Sequence, residues 1–347
     1  MAGSRRKRLG VTAGVLAGAV FATGIGLWAT DSGPFKDAYC WGAWQQNSGP
    51  RLLGDEAVDE SGAERRATES APPSAGRPQG TCTVEVASDD DEDKVTVTYG
   101  PLPAAVDKRQ EWITHYLHGS VSFLPDGLDG LVGGDRGMLV LPEACDVDGR
   151  PSVVTMHNEN WSEGREGRVT GGMGVIGTRA EVAELLLAAA DTGMRAAGCA
   201  PKEPLRANTP MATVAEDRED ADNPVCRIPG VVFDLPKQSR YRQQVGVVSD
   251  RLQTCSVAWL TESFDEEPAA QYVMASAPRL AALFTGLPEG PDKGLVRVEC
   301  GGRETVFYGS TRLGLTGLAK PSAKRVFTNF VDSVGKRIGC KADRGTA

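Results

Sequence analysis

From residue 326 onward, apolar side chains return every three or four positions: Val326, Phe327, Phe330, Val331, Val334 and Ile338. That spacing lays one apolar stripe along a helix, with Lys324, Asn329, Asp332 and Lys336 on the face toward water. A second stripe of the same kind is Val182, Leu185, Leu186, Ala189 and Ala190. Its start is marked by Thr178 with Glu181 three residues later, a capping box that satisfies two orphan amide donors. Both stripes end in glycine followed by cysteine, Gly198-Cys199 and Gly339-Cys340. Glycine there admits the left-handed turn that closes a helix, and the next residue is thrown back toward the core.

Ahead of each helix the pattern changes to that of strands. Gly137–Val140 leads to Cys145, a Gly-containing turn and Val153–Met156; Leu295–Val298 leads to Cys300, Gly301-Gly302 and Thr305–Tyr308. The likeness extends upstream, where Cys82-Thr-Val-Glu-Val and Cys255-Ser-Val-Ala-Trp each open a β-rich run, preceded by Cys40 and Cys226. The eight cysteines thus form two sets of four in matching order, which reads as a duplicated unit. Duplication cuts the 105 pairings open to eight cysteines to a few. The expected bonds are Cys40–Cys82, Cys145–Cys199, Cys226–Cys255 and Cys300–Cys340. The expected fold is α+β: two tandem modules, each an antiparallel sheet with a long packed helix.

Between these landmarks the pattern is weaker. Residues 45–80 are polar and rich in Pro, Ser, Ala and Glu, and read as a mobile excursion with no face to bury. Cys82–Val86 and Lys94–Tyr99 alternate as a hairpin, and residues 106–117 suit a short helix. Residues 201–224, with four prolines and the acidic run Glu216–Asp222, read as a linker. A helix is expected over 269–284. The first module then spans 31–200 and the second 225–347.

Leu9 to Thr30 carries no charge and is rich in Ala, Val, Leu and Gly. As a helix it reaches roughly 33 Å, enough to cross a bilayer core. Arg5–Arg8 flank one side and Asp31 the other, so residues 1–8 are expected in the cytoplasm and the bulk of the chain outside. Cleavage as a signal peptide would instead release a secreted protein, but the apolar run exceeds the usual length for one, and Leu27-Trp28-Ala29 is a poor cleavage site. An even number of well-separated cysteines, none in Cys-x-x-Cys, fits the same oxidising side.

The composition is that of a globular chain, with 40% hydrophobic and 24% charged residues. Net charge is −8, and four of the 38 basic residues lie in the N-terminal cluster, so the rest is more acidic still. That balance excludes a nucleic-acid partner, which needs a concentrated cationic surface.

Candidate chemistry is sparse. Gly172-Met-Gly174-Val-Ile-Gly177 has dinucleotide-loop spacing, but the strand it needs before it is polar, and the second module lacks the glycines. His115 and His118 could share a helix face with His157 as a third ligand, yet no spaced carboxylates accompany them, and surface or partly packed histidines are expected rather than a metal. Asp89–Asp93 lacks the alternation and glycine of a Ca²⁺ loop and reads as a solvated hairpin tip. Asn160-Trp161-Ser162 is a formal glycosylation sequon without further support. Glu159 and Glu163 flank Trp161 as a conceivable carboxylate pair. No nucleophile motif occurs, and with all cysteines in the framework no catalytic residue, cofactor or metal site is assigned.

In its basic N-terminus, single apolar segment, paired cysteine modules and Ala-, Gly-, Arg- and Val-rich usage, the chain resembles uncharacterised membrane-anchored envelope proteins of actinomycetes. The resemblance implies a single-pass cell-surface protein. The expectation is a non-enzymatic protein binding an envelope ligand or partner, with an envelope hydrolase using carboxylates of the first module as the alternative.

Overall fold

Alternation of side chains builds the first sheet. In β4 (Gly80–Ala87), Gly80, Cys82, Val84 and Val86 are buried while Thr81, Thr83 and Glu85 face outward, the period-2 signature of a strand. The computed structural model describes residues 38–341 apart from 60–62, 88–90, 164–168, 173, 213–222, 237–240 and 260–267. The tail at 1–8 and the anchor at 9–30 lie outside the described residues; among these no helix is long and apolar enough to cross a membrane.

A two-residue pair, β1 (Ala38–Tyr39) and β2 (Trp44–Gln45), precedes a short helix α1 (Glu56–Asp59). The large sheet follows, all antiparallel, in the order β3 (Glu64–Glu69), β4, β5 (Asp91–Pro101), β9 (Ser152–Glu163), β8 (Arg136–Val140), β7 (Gly130–Val132) and β6 (Ser122–Phe123), with β10 (Val169–Gly172) folded back on β9. Helix α2 (Val106–Tyr116) lies between β5 and β6 in sequence, and α3 (Arg179–Ala197) follows β10. The second sheet runs β11 (Tyr241–Val248), β12 (Leu252–Trp259), β13 (Pro268–Ala275), β15 (Arg303–Thr311) and β14 (Leu295–Cys300). The short α4 (Pro278–Ala281) comes after β13, and α5 (Leu313–Thr316) and α6 (Ala323–Ile338) close the chain. In each sheet three consecutive strands are followed by a helix, and the later strand of a hairpin, β8–β9 or β14–β15, docks beside the third; the first sheet adds β6, β7 and β10.

Each long helix covers one outer face. Val182, Leu186, Ala189, Ala190 and Met194 of α3 pack with Val84, Val97, Leu139, Val154 and Met156 of the first sheet. Phe327, Phe330 and Val334 of α6 pack with Tyr272, Met274 and Phe307 of the second. The capping box at Thr178 is present, and Gly198 and Gly339 end the two helices in the left-handed conformation at φ 77° and 75°.

The inner faces pack against each other. Leu131, Met138, Val140 and Val153 share a core with Leu252, Val273, Ala275 and Val306, together with Ile113 and Leu117 from α2 and its exit and Leu280 of α4. The order is therefore helix, sheet, sheet, helix, with α2 and α4 between the sheets. Arg279 on α4 reaches across to Asp146 with two hydrogen bonds of 2.8 and 2.5 Å and also donates to the Leu141 carbonyl. Arg251 pairs with Asp129 at 2.8 Å.

Three sequence expectations change. Residues 269–284 are not one helix: β13 is buried on both faces, so its apolar run lacks alternation and imitates a helical stripe. Residues 45–80 are not a mobile excursion over their described part, since Leu52, Leu53 and Ala57 are buried and β3 pairs with β4. The described part of the linker, 201–212, is strapped to the first sheet's unit: Leu205 and Met211 pack on its core, and Asp126 accepts from Asn208 and Thr209.

Candidate functional site

The eight cysteines form four disulfides, Cys40–Cys82, Cys145–Cys199, Cys226–Cys255 and Cys300–Cys340, leaving none free. Each bond stays within one sheet-and-helix half. In both halves one bond ties a strand to the segment before the sheet, and the other ties the long helix's end to the region of the β8 or β14 strand.

Chemistry concentrates on the inner face of the first sheet. Alternation points Arg136, Met138 and Val140 of β8 inward, with Val153, Thr155, His157 and Glu159 of β9, and Arg136 stands directly opposite His157 in register. The last turn of α2 and its exit lay His115, Tyr116 and His118 over them. All three histidines of the chain are thereby gathered at one place between the sheets.

The hydrogen bonds assign the protons. His118 Nδ1 lies 2.7 Å from the Thr114 carbonyl, which can only accept, so Nδ1 carries the hydrogen. Arg136 Nη1 lies 2.9 Å from both ring nitrogens of His118, so it sits over the ring and not on the Nε2 lone pair. Arg136 also donates to the His115 carbonyl at 2.7 Å and holds Asp135 through Nε and Nη2 at 2.9 and 2.8 Å. The Tyr116 hydroxyl, whose pKa burial raises, donates to His157 Nδ1 at 3.1 Å. His157 Nε2 faces Glu159 at 3.4 Å. The rings of His115 and His157 meet edge-on with centroids 5.5 Å apart.

Burial is the first cause holding these imidazoles neutral, because a charged ring loses its hydration there. It pushes His115 down to about 4, helped by Arg136 and His157. His118, 3% exposed, is held well below the usual histidine range by burial and then Arg136. His157 is lowered by burial, against the pull of Glu159. The second sheet grips the same turn: Gly119 N–H donates to Ser256 Oγ at 3.1 Å, and Ser256 to Gln244 at 3.2 Å.

The other sequence candidates disperse. His118 holds the Thr114 carbonyl through Nδ1 with Arg136 against its ring, and both nitrogens of His157 have partners; among the described residues no group of three metal-ligating side chains occurs. The amides of Ile176 and Gly177 in the glycine loop donate to the Gly134 carbonyl, which leaves them turned away from a phosphate. Met173 of that loop and Asp89 and Asp90 of the acidic run lie outside the described residues; Asp93 is in β5 and accepts from Asn158. The sequon is inside β9, paired on one side with β5 and on the other with β10. Glu159 and Glu163 are four residues apart on that strand, a rise of roughly 13 Å.

No family model, curated protein or solved structure matches the chain.

What the site can do follows from its own groups. It is a buried set of uncharged bases around one fixed cation, Arg136, with its exit at the exposed Glu159. The sequence reading singled out the histidines but missed Arg136, Asp135 and Tyr116. A signal existed: Arg136 opens the otherwise apolar strand Arg136-Gly-Met-Leu-Val140, where a charge is buried only with partners.

Proposed function

We propose that the chain is a non-enzymatic extracytoplasmic protein, tethered by residues 9–30 and built from two copies of one disulfide-stapled unit, that binds a ligand or partner protein of the cell envelope. One observation carries this reading: all eight cysteines are bonded, each within its own half, and in each half one bond fixes the second strand of the sheet and the other the end of the long helix. Such bonds persist where the surroundings are oxidising. Two halves copied in framework but different in their connecting segments are what a binding scaffold provides, since recognition concentrates in loops held by a rigid frame. The apolar stretch at 9–30 with basic residues on one flank supports the tether and its orientation.

The envelope-hydrolase reading rests on the Tyr116–His157–Glu159 chain, which has the outline of a base and its orienter. The Tyr116 hydroxyl is buried and kept protonated, and Glu159 and Glu163 stand four residues apart on one strand, a backbone rise of roughly 13 Å. The two readings part in a deletion strain carrying Glu159→Gln with Glu163→Gln: full complementation by the folded double variant supports binding, and loss of complementation supports the hydrolase. Protease added to intact cells should digest residues 31–347 if the tether reading is right and leave them untouched if the chain is internal.

A further inference from the structure

We propose that His115, His118 and His157 form an acid-sensed latch between the two sheets: proton uptake there releases α2 and parts the inner faces, while the four disulfides keep each half intact. The proposal does not depend on which envelope partner is bound.

The geometry places the latch where it can act. α2 is the wedge between the sheets, and its C-terminal turn is held from both sides. From the first sheet, Arg136 donates to the His115 carbonyl and lies against the His118 ring, and His157 Nδ1 accepts from the Tyr116 hydroxyl. From the second, Ser256 Oγ accepts from the Gly119 N–H and Gln271 donates to the Ile113 carbonyl at 3.5 Å. A proton on the His118 ring places a second positive charge 2.9 Å from Arg136 Nη1. A proton on His115 adds a cation beside Arg136 and His157.

The surroundings offer little to offset those charges. The carboxylate just before β8, Asp135, is already engaged with Arg136. On β9, Glu159 faces His157, and Lys94 of β5 lies 3.7 Å from that carboxylate. On α2, Lys108 and Glu111 pair with each other at 2.8 Å on the exposed side. The second sheet presents the uncharged Gln244, Ser256, Gln271 and Tyr308, with Arg242 two residues from Gln244 on the same side of β11. His157 has a counterion to receive its proton against, so His115 and His118 carry most of the response. The direction in which burial and Arg136 move all three rings agrees.

The test uses the full chain. Hydrogen exchange, corrected for its intrinsic pH dependence, is compared at pH 7 and pH 4.5 for residues 106–118 and for β8 and β9. The latch predicts at least tenfold loss of protection there in acid, with α6 keeping its own. His115→Gln with His118→Gln, which keeps uncharged hydrogen-bonding groups in place, should abolish that loss. Protection unchanged at pH 4.5, or lost to the same extent in the double variant, overturns the proposal. Should the variant not fold, ring-carbon NMR of the three histidines in the unmodified chain decides: titration in step with the exchange change supports the latch, and titration near 6.5 without it refutes it.

Discussion

Cys40 and Cys226 occupy the same left-handed backbone conformation, at φ 53° and 52°, and the residue after each does too, Trp41 at 61° and Arg227 at 56°. L-residues enter that region at a cost of roughly 1–2 kcal/mol, so two successive ones at matching places reflect a shared local design. In the first half Glu69 accepts from both Cys40 N–H at 2.8 Å and Trp41 N–H at 3.1 Å. In the second, Gln243 accepts from Cys226 N–H at 2.7 Å. A neutral amide on one side and a carboxylate on the other hold the same bend.

Gln243→Leu should therefore destabilise the protein by about 1–3 kcal/mol, the penalty for a buried amide left without its acceptor. Urea unfolding reads it as a lower midpoint. An unchanged midpoint would mean that the Cys226 bend does not need Gln243.

Arg279 joins the halves with a forked pair to Asp146 and bonds to the Leu141 carbonyl, its side chain 16% exposed. Arg279→Met should cost about 2–3 kcal/mol, as for hydrogen bonds to charged groups. Arg279→Lys should recover less than half, because an ammonium cannot reproduce the fork. Thermal unfolding of the two variants side by side checks both statements.

At Gly193 in α3, an added Cβ would lie 2.4 Å from the Tyr99 ring. Gly193→Ala, which improves helix propensity at an open site, should here cost about 1–3 kcal/mol by overpacking. Combined with Tyr99→Ala, the two losses should total less than their sum, since removing the ring removes the clash. Strict additivity in a double-mutant cycle would contradict this packing.

Stability should depend on pH through the histidines. Their folded pKa values are depressed, so between the folded and unfolded values the unfolded chain binds more protons and stability rises with pH. The contribution is complete above the ordinary histidine value near 6.5 and is lost as pH falls, for His115 toward about 4. His115 alone corresponds to about 3 kcal/mol. Unfolding free energies measured from pH 7 to 4 should fall along this course, and more shallowly in His115→Gln.

Much of the fold was readable where one face of an element meets water. Phe327, Phe330 and Val334 declare the last helix because Lys324 and Lys336 lie opposite them, and the Gly-Cys endings mark where both long helices stop. The reading failed where both faces are covered. Val273, Met274 and Ala275 serve the inner and outer cores in turn, so β13 carries no alternation to reveal a strand. Leu52 and Leu53 were hidden by the polar residues around them, although they fill the first core. The site was only half legible: the histidines stood out, but their meeting depends on Arg136 facing His157 across two strands, a register no local pattern encodes.

Non-reducing peptide mapping of the native full chain tests the duplicated, stapled architecture most directly. The expected linked peptides join Cys40 to Cys82, Cys145 to Cys199, Cys226 to Cys255 and Cys300 to Cys340, with no alkylatable thiol. A bond between the halves, or free thiols in the native protein, would contradict it.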